Sequence, residues 1–307
     1  MKNRVAQLFN IKHPILLGGM AGVTDAYLSA AVCKAGGLGT IAAANETGAS
    51  LTAQIRLIRT LTDKPFAVNI PLVIPRAEEL ITAVIEERVP VVITSAGDPA
   101  AYTYSLKRAG CSVVQVVPCV ERAKRAEKAG VDAVIAEGFE SGGVASPFEV
   151  TTLVLVPQVA DAVKLPVIAA GGIADARGYA ACRILGAEGI SVGTAFLASV
   201  ECERISKEWR RQLLAAADTS TTILTRKQLP IRLLKNSFSE RVEKLAAEGI
   251  SRQELFAFIT TPVEAGDGPF PCGQVAGMVR RVQTVREIID SLVLEVGPII
   301  RAAAESL

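Results

Sequence analysis

The fold of this chain is indicated first by two apolar runs, Val167-Ile-Ala-Ala-Gly-Gly-Ile173 and Ile190-Ser-Val-Gly-Thr-Ala-Phe196. Each apolar stretch leads into glycine, and a helix-like segment, 175–185, separates the two runs. Runs without alternation of polar and apolar residues are typical of parallel strands that are buried on both faces. Glycine at the carboxyl end of such a strand lets backbone N–H groups approach a ligand. Two neighbouring strands of this kind predict a cradle for a phosphate group.

Strand-like and helix-like segments alternate from the N-terminus up to this pair. The other predicted strands fall at 14–20, 38–44, 66–70, 91–95, 113–117 and 133–137. Eight consecutive βα units predict an α/β protein with a closed (β/α)8 TIM barrel. An open doubly wound sheet is the alternative, but it usually carries one dominant glycine-rich turn near the N-terminus. Here glycine recurs at the ends of the first, fourth, sixth, seventh and eighth strands, which favours the barrel.

The regular alternation ends after about residue 199. We predict a barrel domain over 1–200 and 271–307, with a helical C-terminal appendage or lid over 200–270. Within it, 203–260 is predicted to be mostly helical and 261–273 to be a loop rich in proline and glycine. A final helix is predicted to begin near Gln274 and to pack back on the barrel.

Composition narrows the class of function. The net charge of +2 over 307 residues gives no electrostatic case for nucleic acid. The six cysteines form no Cys-x-x-Cys pair and the chain has a single histidine, so a zinc site is not expected. No apolar run reaches the ~18 residues that a membrane helix needs. A cytoplasmic enzyme that binds neither nucleic acid nor membrane is therefore expected.

The residues at the predicted strand ends are mostly small or neutral, and they include no cluster of carboxylates, histidines or lysines. Such a site can hold a large planar or phosphorylated ligand through backbone groups, but it lacks acids, bases and nucleophiles of its own. A cofactor that carries the chemistry resolves this, and flavin mononucleotide (FMN) fits. Glycine at a strand end also serves ordinary tight turns, so the paired ends at 170–172 and 193–194 are the more specific signal.

Motifs along essentially the whole chain are shared with one enzyme family. They are Pro14-Ile-Leu-Leu-Gly-Gly-Met20, Ala35-Gly-Gly-Leu-Gly39, Lys64-Pro-Phe-Ala-Val-Asn69, Asp132-Ala-Val-Ile-Ala-Glu-Gly138, Pro166-Val-Ile-Ala-Ala-Gly-Gly-Ile-Ala-Asp175, Val192-Gly-Thr194, Arg232-Leu-Leu-Lys-Asn236 and Gly273-Gln-Val-Ala-Gly-Met278. Through them the chain resembles the FMN-dependent nitronate monooxygenases, also called 2-nitropropane dioxygenases, and their relatives, the FabK-type enoyl-ACP reductases. The last two motifs look closest to the reductase branch.

The resemblance implies roles for particular residues. Gly19 and Met20 would lie against the isoalloxazine ring, although simple core packing is an equal interpretation for Met20. Asn69 would contact the flavin. The remaining residues would approach the cofactor from the sixth strand or hold its phosphate, and they are Gly142, Gly143, Ala170, Gly171, Gly172, Gly193 and Thr194. NAD(P)H is implied as an electron donor, with a small-molecule or carrier-bound acyl substrate and a homodimer as one option.

The chain departs from the family pattern at one position. The loop after the sixth strand typically reads Glu-x-Gly-Gly-His, and that histidine is the catalytic acid or base. Here the loop reads Glu140-Ser-Gly-Gly-Val144, and valine cannot transfer a proton. His13 precedes the first strand, at the other end of the barrel, where a structural role is expected. The catalytic residue is therefore left unassigned.

Several functions follow from this departure. The first hypothesis is an FMN-dependent oxidoreductase that oxidises alkyl nitronates with O₂, because a nitronate already enters as the anion. The alternatives are a FabK-like reductase of enoyl-ACP or polyketide enoyl groups, an NAD(P)H:quinone reductase, a flavin-binding paralogue with low turnover, and a flavin-free barrel for a phosphorylated ligand. Lys235, Arg232 and Cys119 are candidate substitutes for the histidine, with surface, capping or packing roles as the alternatives.

Overall fold

Eight parallel strands form the barrel that the sequence predicts, in a computed structural model that describes residues 3–226, 230–249, 251, 254 and 267–306. The strands run in the order β1-β9-β8-β6-β5-β4-β3-β2. Leu16 and Leu38 bridge β1 and β2 and close the ring. The bounds are β1 Ile15–Leu17, β2 Gly39–Ala42, β3 Phe66–Pro71, β4 Val91–Ser95, β5 Ser112–Val117, β6 Ala133–Glu137, β8 Val167–Ala170 and β9 Gly189–Val192, with a short β7, Gly143–Val144, outside the barrel.

Helices follow most of the strands and cover the outside of the ring, except the first helix, which precedes β1 and closes the lower end. They are α1 Arg4–Phe9, α2 Ala26–Lys34, α3 Gly48–Leu61, α4 Ala77–Glu86, α5 Thr103–Arg108, α6 Val120–Ala129, α7 Thr152–Ala162, α8 Ala176–Ile184 and α9 Thr194–Leu197. Asp25 begins α2 as predicted, since its carboxylate accepts hydrogen bonds from the N–H groups of Tyr27 and Leu28. Asp175 caps α8 in the same way. Short polar caps therefore fix where two of the crossover helices begin.

The core has two layers. The inward-facing residues of each strand form one layer inside the barrel, and the outward-facing residues form the other, beneath the helices. In β6, Ala133 and Ile135 belong to the inner cluster, whereas Val134 and Ala136 belong to the outer one. This period of two is the normal alternation of a barrel strand. Val5 and Phe9 of α1 join the inner cluster and fill the lower end of the barrel. The opposite end, where the strands finish, is called the mouth.

The part of the chain after residue 199 differs in detail from the prediction. It contains α10 Lys207–Leu214 and α11 Ser237–Ala247, but also two strands, β10 Thr221–Leu224 and β11 Ile231–Leu234. These strands and β7 form a three-stranded antiparallel sheet. The expectation that 203–260 is mostly helical missed them, because an apolar run of four residues does not distinguish a strand from a buried helical turn. The predicted loop lies outside the described residues over 261–266, and 267–273 has no regular structure.

The predicted final helix near Gln274 is also corrected. A short 3-10 helix covers Gln274–Met278, and the α-helices α12 Val285–Leu294 and α13 Val296–Glu305 begin later. Gly277 packs closely in this segment, since a Cβ there would lie 2.7 Å from the backbone of Ala217. Thr284 then starts α12 by a capping box with Glu287. Among the described residues, no helix combines the length and the apolar character needed to cross a membrane.

Candidate active site

The mouth carries a row of backbone N–H groups that have no acceptor within the part of the chain that the structure describes. They belong to Gly171, Gly172, Gly193 and Thr194, which follow the neighbouring strands β8 and β9. Gly171 and Gly172 adopt left-handed φ values of 91° and 70°, which glycine tolerates without strain. Ala170 stands opposite Ser191 in the register of the two strands and fixes their relative position. Convergent unpaired N–H groups of this kind form a binding site for an anion.

A second group of predicted residues meets across β1, β3 and β9. A Cβ on Gly19 would lie 2.7 Å from Cβ of Asn69, so only glycine allows this approach. The amide nitrogen of Asn69 donates to the carbonyl of Ile93 at 3.2 Å, which fixes the side chain. Met20 is half-buried, and its sulfur lies 3.3 Å from where a Cβ of Gly193 would be. Gly19 itself is exposed, so its backbone is open at the centre of the mouth.

The loop after β6 is fixed from two sides. Glu140 accepts hydrogen bonds from the backbone N–H and the hydroxyl of Thr152, at 2.8 and 3.0 Å, and so caps the start of α7. The oxygen of that hydroxyl also lies 2.9 Å from the carbonyl oxygen of Gly171, so its single proton is shared between the two acceptors. The same threonine therefore links the loop after β6 with the loop after β8.

Gly142 and Gly143 have different surroundings. A Cβ on Gly142 would lie 2.6 Å from the carbonyl carbon of Cys272 and from the nitrogen of Gly273. The N–H of Gly273 donates to the hydroxyl oxygen of Thr194 at 2.9 Å, which connects this contact with the loop after β9. Gly143 has a φ of 74°, and no described atom lies within 4 Å of the position that a Cβ would take there, so its outer side is open.

Val144, at the family's histidine position, is exposed at the mouth. Its side chain is 59% accessible, and it pairs with Ile231 in the register of β7 and β11. Phe148, further along the same loop, is also exposed. The loop thus exposes two apolar side chains, and Val144 cannot supply a proton.

Arg232 is buried and holds other parts of the protein, rather than lying exposed as a candidate proton donor. The side chain is buried and donates two hydrogen bonds to the carbonyl of Phe139, at 3.1 and 3.3 Å. Its guanidinium also lies 5.2 Å from the centre of the Phe139 ring. Burial lowers the pKa of Arg232, and the nearby Glu140 carboxylate opposes that shift. These contacts occupy Arg232 in holding the loop after β6.

The other candidate proton donors lie apart from this arrangement. His13 precedes β1 at the lower end of the barrel, where its backbone N–H donates to Gly36. Lys235 is exposed at the end of β11, and Cys119 is half-buried at the start of α6. Within the described ranges no group of three or more His, Cys, Asp or Glu residues could hold a metal ion.

Sequence reasoning gave no role to Glu137, the last residue of β6. Its carboxylate accepts a hydrogen bond from the hydroxyl of Ser141 at 2.8 Å. Burial raises the pKa of Glu137 above its ordinary value of 4.5, and the bond from Ser141 partly opposes that rise. The sequence does hold one clue to Glu137. No other ionisable side chain occurs in the eight barrel strands, all of which the structure describes.

Comparisons with known proteins agree on one family. A family model described as nitronate monooxygenase matches residues 2–81 and 76–295. The chain is 35% identical over 292 residues to a probable nitronate monooxygenase of Staphylococcus saprophyticus, covering 80% of this chain and 81% of that protein.

Two further similarities extend over almost the entire length. A (3aS,4S,5R,7aS)-5-hydroxy-7a-methyl-1-oxo-octahydro-1H-indene-4-carboxyl-CoA dehydrogenase of Mycobacterium tuberculosis is 36% identical over 343 residues, covering 96% of each chain. The solved structure of FabK from Thermotoga maritima is 39% identical, with a TM-score of 0.95 and full coverage of both chains.

Proposed function

The chain belongs to the nitronate monooxygenase family of oxidoreductases, and from that premise we propose that it binds FMN at the barrel mouth and oxidises alkyl nitronates with O₂. FMN is the cofactor that this family uses in general. The proposal rests chiefly on the four unpaired N–H groups of Gly171, Gly172, Gly193 and Thr194. Together they match the acceptor oxygens of a terminal phosphate.

The rest of the predicted site fits the same cofactor. Gly19 leaves the backbone open at the centre of the mouth, and Asn69 presents a fixed amide beside it. Met20 borders the loop after β9, and Gly143 is open on its outer side. FMN, when bound, would supply the electron-transfer chemistry that the neutral side chains lack. The protein would hold and orient it, with Thr152 and Gly273 keeping the three loops in register.

The choice of a nitronate as substrate follows from Val144. A nitronate enters as an anion and needs no base to remove a proton from carbon, so its oxidation tolerates an apolar residue at this position. The exposed side chains of Val144 and Phe148 suit an alkyl group beside the cofactor. We further propose that the segment over 200–270 borders the mouth, since β11 pairs directly with β7.

Reduction of an enoyl thioester with NAD(P)H is the second candidate. It is favoured by the similarity to FabK over the full length of both chains. The similarity to a CoA-ester dehydrogenase over 96% of the chain also favours a thioester substrate. This reaction adds a proton to carbon, so it requires a donor other than Val144.

The cofactor proposal can be tested with purified protein stripped of ligand. We expect FMN to bind at one site per chain and to give a yellow complex that propyl-2-nitronate and O₂ turn over. Parallel assays with NADH or NADPH plus crotonyl thioester, or plus a quinone, separate the alternatives. Protein that stays colourless at saturating FMN would contradict the proposal.

The variant Gly172→Ala tests the anion site itself. Alanine is strained at the φ of 70°, so the N–H at this position should turn away from its present direction. A hydrogen bond to a charged group contributes about 1.5–3 kcal/mol. FMN affinity should therefore fall by about tenfold or more, as measured by titration. Gly110→Ala is the matched control, because Gly110 has a φ of 87° with open space around it and lies at the opposite end of the barrel.

A further inference from the structure

Glu137 is an isolated acid that faces the interior of the barrel. Ala133 and Ile135 of the same strand belong to the inner cluster, and alternation along β6 gives Glu137 the same inward direction. It stands opposite Ala170 in the register of β6 and β8. Asn69 has the same inward parity on β3, where Ala67 belongs to the inner cluster. Glu137 thus lies in the upper layer of the barrel, next to the strand that leads into the anion site.

No counter-charge accompanies this carboxylate within the described residues. The flanking strands β5 and β8 carry no ionisable side chain. Among charged groups of the adjoining loop and sheet, Glu140 binds Thr152, and Arg232 donates to the carbonyl of Phe139. Helices α6 and α7 pack on the outer face of the strand, away from the interior.

This environment favours the protonated form of the carboxyl group more than water does. Burial raises the pKa of Glu137, while the hydroxyl of Ser141, bound to Oε1, lowers it in part. Glu137 as a residue nevertheless retains partial exposure to solvent. A carboxylic acid with these properties can donate a proton to a substrate and recover it from water.

We propose that Glu137 is the proton donor and acceptor of this site, in place of the histidine that Val144 replaces. The inference rests on the proposed FMN site and concerns substrates that gain or lose a proton at carbon. For an enoyl thioester, bound FMN reduced by NAD(P)H would supply the hydride for the β-carbon, and Glu137 would give its proton to the α-carbon. The double bond becomes a single bond, NAD(P)⁺ leaves, and the Glu137 carboxylate takes a proton from water.

The decisive variant is Glu137→Gln, which keeps the shape and removes the transferable proton. Turnover of crotonyl thioester, and of neutral 2-nitropropane, should fall by about 10²–10⁴-fold, the usual contribution of a placed acid or base. Flavin reduction by NAD(P)H, followed separately by stopped flow, requires no protein acid and should persist. Glu203→Gln removes an exposed carboxylate and is the matched control.

A second substitution distinguishes proton transfer from a packing role. Val144→His returns the family's acid to the loop, so it should restore turnover in the Glu137→Gln background. A structural defect caused by the loss of Glu137 would not be repaired by histidine at an exposed position. Failure of this rescue, with FMN still bound, counts against the proposal.

Ser141→Ala provides a test that leaves the carboxyl group in place. Loss of the Ser141 hydroxyl should raise the pKa of Glu137 further, so the basic limb of the pH profile for enoyl reduction should move to higher pH. An unchanged profile would overturn the inference. This variant also decides the matter if Glu137→Gln fails to fold.

The pH dependence of unfolding gives a readout without cofactor. Because folding raises the pKa of Glu137, its stabilising contribution is present below pH 4.5 and is lost as the pH rises through the folded value. Glutamine does not ionise, so the variant does not lose this contribution. The free energy of unfolding of Glu137→Gln minus that of the natural protein should therefore increase as the pH rises from 4.5 to the folded pKa. A constant difference would mean that folding does not raise the pKa of Glu137, which counts against its role as a proton donor.

The outcomes separate the inference from the proposed function. Protein that binds FMN and oxidises nitronate, but turns over neither crotonyl thioester nor 2-nitropropane, rejects the role of Glu137 and leaves the proposed function intact. Retained turnover by Glu137→Gln rejects it as well. Protein that does not bind FMN rejects the proposed function first.

Discussion

At the scale of single residues, the two glycines before Val144 occur for different reasons. Gly142 is required by close packing against the backbone of Cys272 and Gly273, whereas Gly143 is required by its φ of 74° and faces open space. From the family resemblance, both glycines are expected to lie close to the cofactor. The structure shows that a Gly-Gly pair can serve protein packing at one position and face open space at the next.

This difference predicts the effect of Gly142→Ala. A Cβ would meet backbone atoms at 2.6 Å, and backbone cannot move aside as the end of a side chain can. Forced overpacking costs about 1–3 kcal/mol, so the free energy of unfolding should fall by that amount in a urea titration.

Gly178→Ala is the control for that substitution. Gly178 lies within α8, and a Cβ there would make only ordinary contacts at 3.5 Å. Alanine should stabilise the helix by up to ~1 kcal/mol. Equal effects of the two variants would show that the contact with Cys272 is not a constraint.

At the scale of elements, the loop after β6 is held by the antiparallel pair β7–β11. Arg232 is the key side chain. Its buried guanidinium donates a hydrogen bond to the carbonyl of Phe139 and also lies over the phenyl ring of Phe139. Replacing it by methionine keeps much of the apolar contact but leaves that carbonyl without its donor. The predicted loss for Arg232→Met is about 1.5–3 kcal/mol of unfolding free energy.

The consequence for function should be measurable on the same variant. A loosened loop should weaken FMN binding, since Glu140 of that loop also positions Thr152 beside Gly171. Lys235→Met changes an exposed side chain at the end of the same strand and should alter stability by less than about 0.5 kcal/mol. An Arg232→Met protein as stable as the natural one would show that β7 is held by the backbone pairing alone.

At the scale of the whole molecule, thiol reactivity reports on the integrity of the barrel. All six cysteines are free, and only Cys119 is not buried. Burial raises the pKa of Cys33, Cys182 and Cys202 to about 11, and that of Cys272 to about 12. Because the thiolate is the reactive form, native protein at pH 8 should react first at Cys119.

The measurement is a titration with a chromogenic disulfide before and after denaturation. All six thiols should react in denaturant, and Cys119→Ser should remove the early phase. Rapid reaction of several thiols in the native protein would mean that the barrel opens far more readily than its packing indicates.

Sequence alone predicts the barrel well, because apolar runs recur at regular spacing and each run is apolar throughout. All eight barrel strands lie where the sequence predicts them, and Asp25 caps α2 as expected. The short run Ile231–Leu234 is ambiguous by itself, and it is a strand only because β7 and β10 lie beside it.

The site is harder to predict than the fold, since its properties depend on contacts between distant segments. The phosphate-binding roles proposed for Gly171 and Gly193 are suggested by their places after strands, whereas the approach of Cys272 to Gly142 has no local signal. Glu137 is a single acid in a conventional strand end. Its burial and lack of a counter-charge become visible only when the strands are assembled.

The chain contains a single tryptophan, and the structure places it one contact away from the mouth. Trp209 stacks on Phe270 at 5.4 Å and donates its indole N–H to the sulfur of Cys272, whose backbone abuts Gly142. Its emission therefore comes from one known position, without labelling or background from other indoles. Since flavin absorbs where tryptophan emits, a flavin bound at the proposed site would quench Trp209, and the extent of quenching would report how much of the protein holds the cofactor.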